Sequence, residues 1–206
     1  MSAKDLIVQH ASAPGGRLIL LFHGVGSRPE DLVPLGRRLA EADPGAWVVS
    51  VCSPEPSDLG SGWQWFSVRG VTEDSRPARI ATAMPSFVRC VRDWQAKAGV
   101  DAAGTTLIGF SQGSIMALES TQLPETLAAR VISLAGRFAA PPRVAPAATQ
   151  VHLLHGEQDQ VIDPRYSLLA AEALRALGAT VSVELFPGLG HGIDARVAAR
   201  VQAFAA

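Results

Sequence analysis

The chain has 206 residues, 48% of them hydrophobic and 18% charged, with 18 Lys and Arg against 19 Asp and Glu for a formal net charge of -1. That length suits one domain, residues 1–206, able to bury about 70% of the unfolded surface, and the composition excludes a disordered chain. The charges are scattered singly, so no basic stripe exists for a phosphate backbone and no nucleic-acid partner is expected.

Residues 5 to 9 read as an added edge strand, in an N-terminal stretch (MSAKDLIVQHASAP) whose apolar run is too brief for an export signal. A cytoplasmic location is therefore expected. Leu18 to Phe22 reads as a buried strand, far short of the ~20 residues a membrane-spanning helix needs, so no stable membrane insertion is expected. A helix carrying Leu32, Leu35 and Leu39 follows, then a strand at Trp47 to Val51. After a Pro, Gly and Ser stretch from Ser53 to Ser75, a helical region opens at Pro77 and carries Ile80, Phe87, Val91 and Trp94; Pro85 is expected to break or kink it. Strands are predicted at Thr105 to Gly109, Arg130 to Leu134, Val151 to His155 and Val181 to Phe186. Between the first two, a helix runs through Ile115 and Leu118. Pro164 to Leu177 sets Tyr166, Leu169, Ala173 and Leu177 along one helical face and stops at Gly178, an expected left-handed C-terminus. A closing helix from Ile193 uses Val197, Val201 and Phe204, and Ala139 to Ala148 reads as a linker loop. Short Val, Ile and Leu runs alternating with helices are the pattern of an α/β fold, a mostly parallel sheet covered on both faces. Cys52 and Cys90 have no metal-type spacing and read as reduced packing residues.

Gly109-Phe110-Ser111-Gln112-Gly113 lies between a predicted strand and a predicted helix. In that context GxSxG forms the nucleophile elbow of an α/β-hydrolase, a strained turn that lifts the serine hydroxyl above the sheet. Serine needs a base, and in this fold the chain order is Ser, acid, His. His191, in Gly188-Leu189-Gly190-His191-Gly192 after the last strand, suits that order. His10 lies near the terminus, His23 in the first-strand turn, and His152 and His155 on one strand, so structural hydrogen bonding is the reading for these four. Glu157, Asp159 and Asp163 share the loop after the Val151 to His155 strand. Asp163 precedes Pro164 and so suits a helix cap, which leaves Asp159 as the favoured acid. The backbone N–H of Gln112 is one expected oxyanion donor, and that of Val25, in Phe22-His23-Gly24-Val25-Gly26, the other. A metal held by His152, His155, Asp159 and His191 is disfavoured, because His152 and His155 point to opposite faces of a strand. No metal or cofactor is expected. Trp63, Trp65 and Phe66 read either as exposed aromatics lining an apolar substrate pocket or as anchors for a long loop.

On the His-Gly-Val-Gly turn, the Gly-Phe-Ser-Gln-Gly elbow, His155-Gly156 leading to Asp159, and Gly190-His191, the chain resembles the bacterial carboxylesterase and acyl-protein thioesterase family, formerly called phospholipase/carboxylesterase. The resemblance covers nearly the whole chain. It implies Ser111 as nucleophile, His191 as base, Asp159 as acid, and the Val25 and Gln112 amides as oxyanion hole, acting without cofactor on small or medium acyl esters or thioesters. The Trp65-Phe66 pair also looks like a family feature, whereas Ser67 stands where the family usually has aspartate and Trp63 where it has a basic residue. At this length no large cap domain fits, so an open site is expected. Two other readings are kept: a serine peptidase on the same fold, and a binding protein that retains the fold without catalysis. A homodimer through the aromatic loop is left open.

Overall fold

The computed structural model describes residues 4–12 and 16–205; residues 1–3 and 13–15, all but Gly15 within the stretch read above for an export signal, and Ala206 lie outside them. The strands are β1 (Leu6–Gln9), β2 (Leu18–Phe22), β3 (Trp47–Val51), β4 (Glu55–Pro56), β5 (Trp63–Gln64), β6 (Thr105–Phe110), β7 (Arg130–Leu134), β8 (Gln150–Gly156) and β9 (Val181–Phe186). The helices are α1 (Val33–Ala42), entered through a 3-10 turn at Pro29–Leu32, α2 (Arg76–Ala98), α3 (Gln112–Ser120), α4 (Arg165–Ala176) and α5 (Ala195–Ala205). Seven strands form one sheet in the order β1-β3-β2-β6-β7-β8-β9, parallel except for the antiparallel edge strand β1.

The continuous apolar run of β2 follows from burial on both sides. Leu18, Leu20 and Phe22 belong to one core layer with side chains of α2, α3 and α4, whereas Ile19 and Leu21 belong to the other with α1 and α5. Alternation along the strand sends successive side chains to opposite faces, so a strand covered twice must be apolar throughout. From β2 the chain steps to β3 on one side and later to β6 on the other. The carboxyl ends of β2 and β6 therefore flank a topological switch point, where α/β sheets open a crevice.

Three features differ from the sequence expectations. Helix α2 is a single element of 23 residues that runs through Pro85. Proline in a helix interior costs about 3 kcal/mol, but Ile80, Met84, Phe87, Val91 and Trp94 are all buried at helical spacing, each contributing roughly 1.5–3 kcal/mol. In α4 the buried stripe is Ser167, Ala170, Ala171 and Leu174, while Leu169 and Leu177 are 60% and 40% exposed. The small residues allow close approach to the sheet, which rotates the face by one position; Tyr166 instead lies under Arg137, whose guanidinium is 3.6 Å from the ring centre. The Ser53 to Ser75 stretch contains a short antiparallel pair, β4 with β5. Gly178 does close α4 with φ of 86°, and no helix among the described residues is long and apolar enough to cross a membrane.

Candidate active site

Ser111 stands between β6 and α3 with φ of 51° and ψ of -113°, a backbone conformation that costs a non-glycine residue on the order of 1–3 kcal/mol. The surroundings hold it there. The Ser111 amide donates to the Leu134 carbonyl of β7 (2.9 Å), and the Ile115 amide donates to the Ser111 carbonyl (3.0 Å). Both motif glycines are sterically required: a Cβ at Gly109 would meet the Ser114 backbone at 2.4 Å, and one at Gly113 would meet the Phe22 carbonyl oxygen at 2.2 Å. The close approach of α3 to β2 thus depends on having no side chain at position 113.

Above this turn, loops from three strand ends converge. The Ser111 hydroxyl is 3.0 Å from His191 Nε2, and His191 Nδ1 is 2.7 Å from Asp159 Oδ2. The carboxylate places the imidazole proton on Nδ1, which leaves Nε2 to accept the serine hydroxyl. Loop 187–192, which carries His191, is tied to the loop after β8 by a bond from the Gln158 amide to the Leu189 carbonyl (2.8 Å). Asp159 Oδ1 accepts the Val161 and Ile162 amides at 2.8 and 3.0 Å. Burial pushes the Asp159 carboxyl upward, but the hydrogen bonds from His191, Ile162 and Val161 outweigh it and hold the group below the ordinary carboxylate value. An imidazole oriented by an ionised carboxylate can take a hydroxyl proton and be stabilised once charged.

Asp159 has a fourth donor that the sequence reading missed. His155, wholly buried on β8, directs Nε2 at both Asp159 Oδ2 (3.1 Å) and the Ile162 carbonyl (2.9 Å), while its Nδ1 accepts the Ser167 hydroxyl (2.8 Å). Burial lowers the His155 pKa despite these acceptors, so the ring is neutral with its proton on Nε2. The available signal was the four-residue step from His155 to Asp159, which a loop returning to its own strand turns into contact. Of the remaining acids, Glu157 is exposed. Asp163 precedes Pro164, which rather than Asp163 is the N-cap of α4; its carboxylate accepts the Arg165 amide (2.9 Å) and pairs with the Arg165 guanidinium. His152 points elsewhere, bonded to Ser182 and stacked on Phe204, so the four residues considered for a metal are not brought together. His23 is also structural, bonded to the Ser53 amide and hydroxyl through Nε2.

The loop after β2 lies against the elbow, since a Cβ at Gly24 would be 3.2 Å from Ser111 Cβ. Val25 and Gln112 each lie three residues beyond Phe22 and Gly109, which pair in the parallel ladder. Among the described residues neither amide donates to a protein acceptor, as oxyanion donors require. Of the two readings of the aromatic segment, its burial fits the loop anchor: Trp65 and Phe66 are 3% and 4% exposed, and Trp63 is half-buried. The Trp65 ring packs 5.1 Å from Phe87 and 6.1 Å from Phe22, and its buried indole N–H has no hydrogen-bond partner among the described residues, so apolar packing alone holds the ring there. Both residues also border a cleft with Pro54, Arg69, Arg79 and Ser86. Ser67 donates to Asp58, so a carboxylate from the preceding loop reaches the position after the aromatic pair. On the other side of the site, Arg137 pairs through both terminal nitrogens with Glu73 at 2.6 and 3.0 Å, and the two border a polar cleft with Asp159 and Gln160.

A family model described as phospholipase/carboxylesterase matches residues 3–206. The chain is 47% identical over 196 residues to Esterase YpfH of Escherichia coli (strain K12), which spans 95% of this chain and 84% of that protein. It is 22% identical over 209 residues to acyl-protein thioesterase 1 of Gibberella zeae, covering 90% and 88% of the two chains. Among solved structures, esterase PE8 superposes with a TM-score of 0.88 at 30% identity, covering 98% of this chain and 96% of that one. The Bacillus cereus carboxylesterase shares the fold with a TM-score of 0.81 at 18% identity, covering 98% and 92%.

Proposed function

The chain belongs to the phospholipase/carboxylesterase family and is a carboxylic ester hydrolase, and from that premise we propose that Ser111, His191 and Asp159 are its catalytic triad. The observation that carries this reading is the unbroken hydrogen-bond chain from the Ser111 hydroxyl through His191 to the Asp159 carboxylate, at 3.0 and 2.7 Å.

In the proposed reaction the Ser111 oxygen attacks the acyl carbon while His191 Nε2 takes the hydroxyl proton. The carbonyl electron pair moves onto oxygen, which the amides of Val25 and Gln112 stabilise. Collapse of this intermediate expels the alcohol or thiol, which receives the proton from His191. Water then attacks the acyl-enzyme by the same steps, with His191 again as base, and releases the acid. These side chains, the substrate and water supply every proton and electron pair, so the mechanism calls for no cofactor. Small or medium acyl esters are the proposed substrates. Thioesters follow from the same chemistry, since a thiolate is the better leaving group, and the likeness to an acyl-protein thioesterase supports including them.

Hydrolysis of p-nitrophenyl esters of increasing acyl length, alongside an acyl thioester of equal length, tests the reading. Turnover by the wild type and a loss of about 10⁴-fold or more in Ser111→Ala are expected. Equal rates for both proteins would overturn it.

A further inference from the structure

Two amides can stabilise one oxyanion only if their separation is fixed before the reaction, because donors that must move into position lose much of their effect. Val25 and Gln112 belong to segments far apart in sequence, and the ladder joining β2 to β6 ends before either of them. A different connection spans the gap.

The segment Trp63 to Phe66 bonds to both sides. At its start, the Trp63 amide donates to the Ser27 carbonyl (2.9 Å) and the Gly26 amide donates to the Trp63 carbonyl (3.0 Å). These bonds form a bridge to the loop that carries Val25. At its end, the Trp65 amide donates to Gln112 Oε1 (2.7 Å) and Gln112 Nε2 donates to the Phe66 carbonyl (2.8 Å). A backbone N–H requires an acceptor and a carbonyl a donor, so the partners fix the orientation of the Gln112 amide. Gln112 is 2% exposed and Trp65 is locked between Phe22 and Phe87, so the two bonds at the Gln112 end cannot be exchanged for water without opening the core, whereas Gly26, Ser27 and Trp63 at the other end are half-buried.

We propose that the Gln112 side chain is a positioning residue, which, through Trp63 to Phe66, holds the Val25 loop at a fixed distance from the Gln112 amide and so preorganises the oxyanion hole. This rests on the assignment of those two amides above. It gives the aromatic segment a task other than substrate contact: it is a strap whose rings anchor it and whose backbone joins the two halves of the hole. The elbow residue thus has two functions, its backbone N–H toward the oxyanion and its side chain toward the strap.

The test compares Gln112→Met, similar in length but unable to make either bond, with the wild type and Ser111→Ala. Three quantities are read on folded protein: kcat and KM on a p-nitrophenyl ester, affinity for a trifluoromethyl ketone that forms a hemiketal oxyanion on Ser111, and amide hydrogen exchange at Gly26 and Trp63. A displacement of about 1 Å at a reacting centre costs on the order of 10²-fold. The expected result is a kcat lowered by about 10- to 100-fold with KM changed less than about threefold. Ketone affinity should fall in parallel, and exchange at Gly26 and Trp63 should quicken. If Gln112→Met does not fold, Gln112→Asn is read by the same criteria, since its amide is one methylene shorter and cannot reach the Trp65 amide and the Phe66 carbonyl together. A folded variant with unchanged kcat, ketone affinity and exchange would overturn the proposal, as would a lower melting temperature with these three unchanged. Full turnover by Ser111→Ala would instead overturn the triad assignment beneath it.

Discussion

His155→Leu removes one side chain and three hydrogen bonds at the support of the acid. The ring donates to Asp159 and to the Ile162 carbonyl and accepts from Ser167, at 2.8–3.1 Å and with no solvent access. A bond to a charged group contributes about 1.5–3 kcal/mol and a neutral one about 1 kcal/mol. Ser167, in the first turn of α4, can redirect its hydroxyl to its own helix, and leucine regains part of the loss through apolar burial. The net destabilisation is therefore about 3 kcal/mol, or roughly 6–12 °C in Tm for a chain of this size. Catalysis should suffer less than stability, because Asp159 keeps three donors, His191 and the amides of Val161 and Ile162. A kcat reduction of about 10-fold or less is expected, against about 10⁴-fold for loss of the acid itself. Urea unfolding and calorimetry give the first quantity and steady-state ester hydrolysis the second. A Tm within about 2 °C of wild type would refute the argument that these bonds stabilise the fold. A kcat loss matching that of Asp159→Asn would refute the argument that the remaining donors suffice to orient the acid.

The choice between acids is separable by mutation: Asp159→Asn should lower kcat by about 10⁴-fold, whereas Asp163→Asn, at a partly exposed position paired with Arg165 just before α4, should stay within about threefold of wild type by the same assay. Gly113→Ala places a Cβ 2.2 Å from the Phe22 carbonyl oxygen and 2.7 Å from Phe22 Cβ, so a loss of at least about 3 kcal/mol in urea unfolding, or insoluble protein, is expected; wild-type stability would contradict the steric account. Burial lowers the pKa of His23 and His155, and burial with the nearby Arg130 and Arg200 pushes His152 down to about 4. Because the folded chain holds these rings neutral while the unfolded chain protonates them near 6.5, their stabilisation is complete above that pH and is lost as pH falls toward 4. Tm should therefore decline between about pH 6.5 and 4, and a flat profile over that interval would contradict the assignment.

Sheet and elbow were legible because each rests on a local rule. A run buried on two faces, such as Leu18 to Phe22, has one reading once its length excludes a membrane span, and β3, β7 and β9 have the boundaries expected of them. Ser111 was marked by glycines whose absence of side chains is a steric necessity visible in the motif. Where a local pattern permits two solutions, tertiary packing decides. The alanine-rich α4 offers two adjacent stripes, and the one with smaller residues meets the sheet. Pro85 breaks a helix only where nothing else holds it, and the buried Ile80, Met84, Phe87, Val91 and Trp94 hold α2. The two-residue strands of β4 and β5 are too short to show a period. His155 was read from its strand alone, which gives a face but not the loop that folds back over it. The Gln112 side chain was overlooked because its partners lie 46 and 47 residues away in the chain.

Ser111 is the proposed nucleophile, on which every step of the reaction depends. Its most direct test is reaction of the native protein with a fluorophosphonate, with the modified residue located by mass spectrometry and ester turnover followed in parallel. One adduct per chain is expected, on Ser111, with turnover lost in proportion to labelling and no adduct on Ser111→Ala. An adduct on another residue, or turnover that survives complete modification of Ser111, would contradict it.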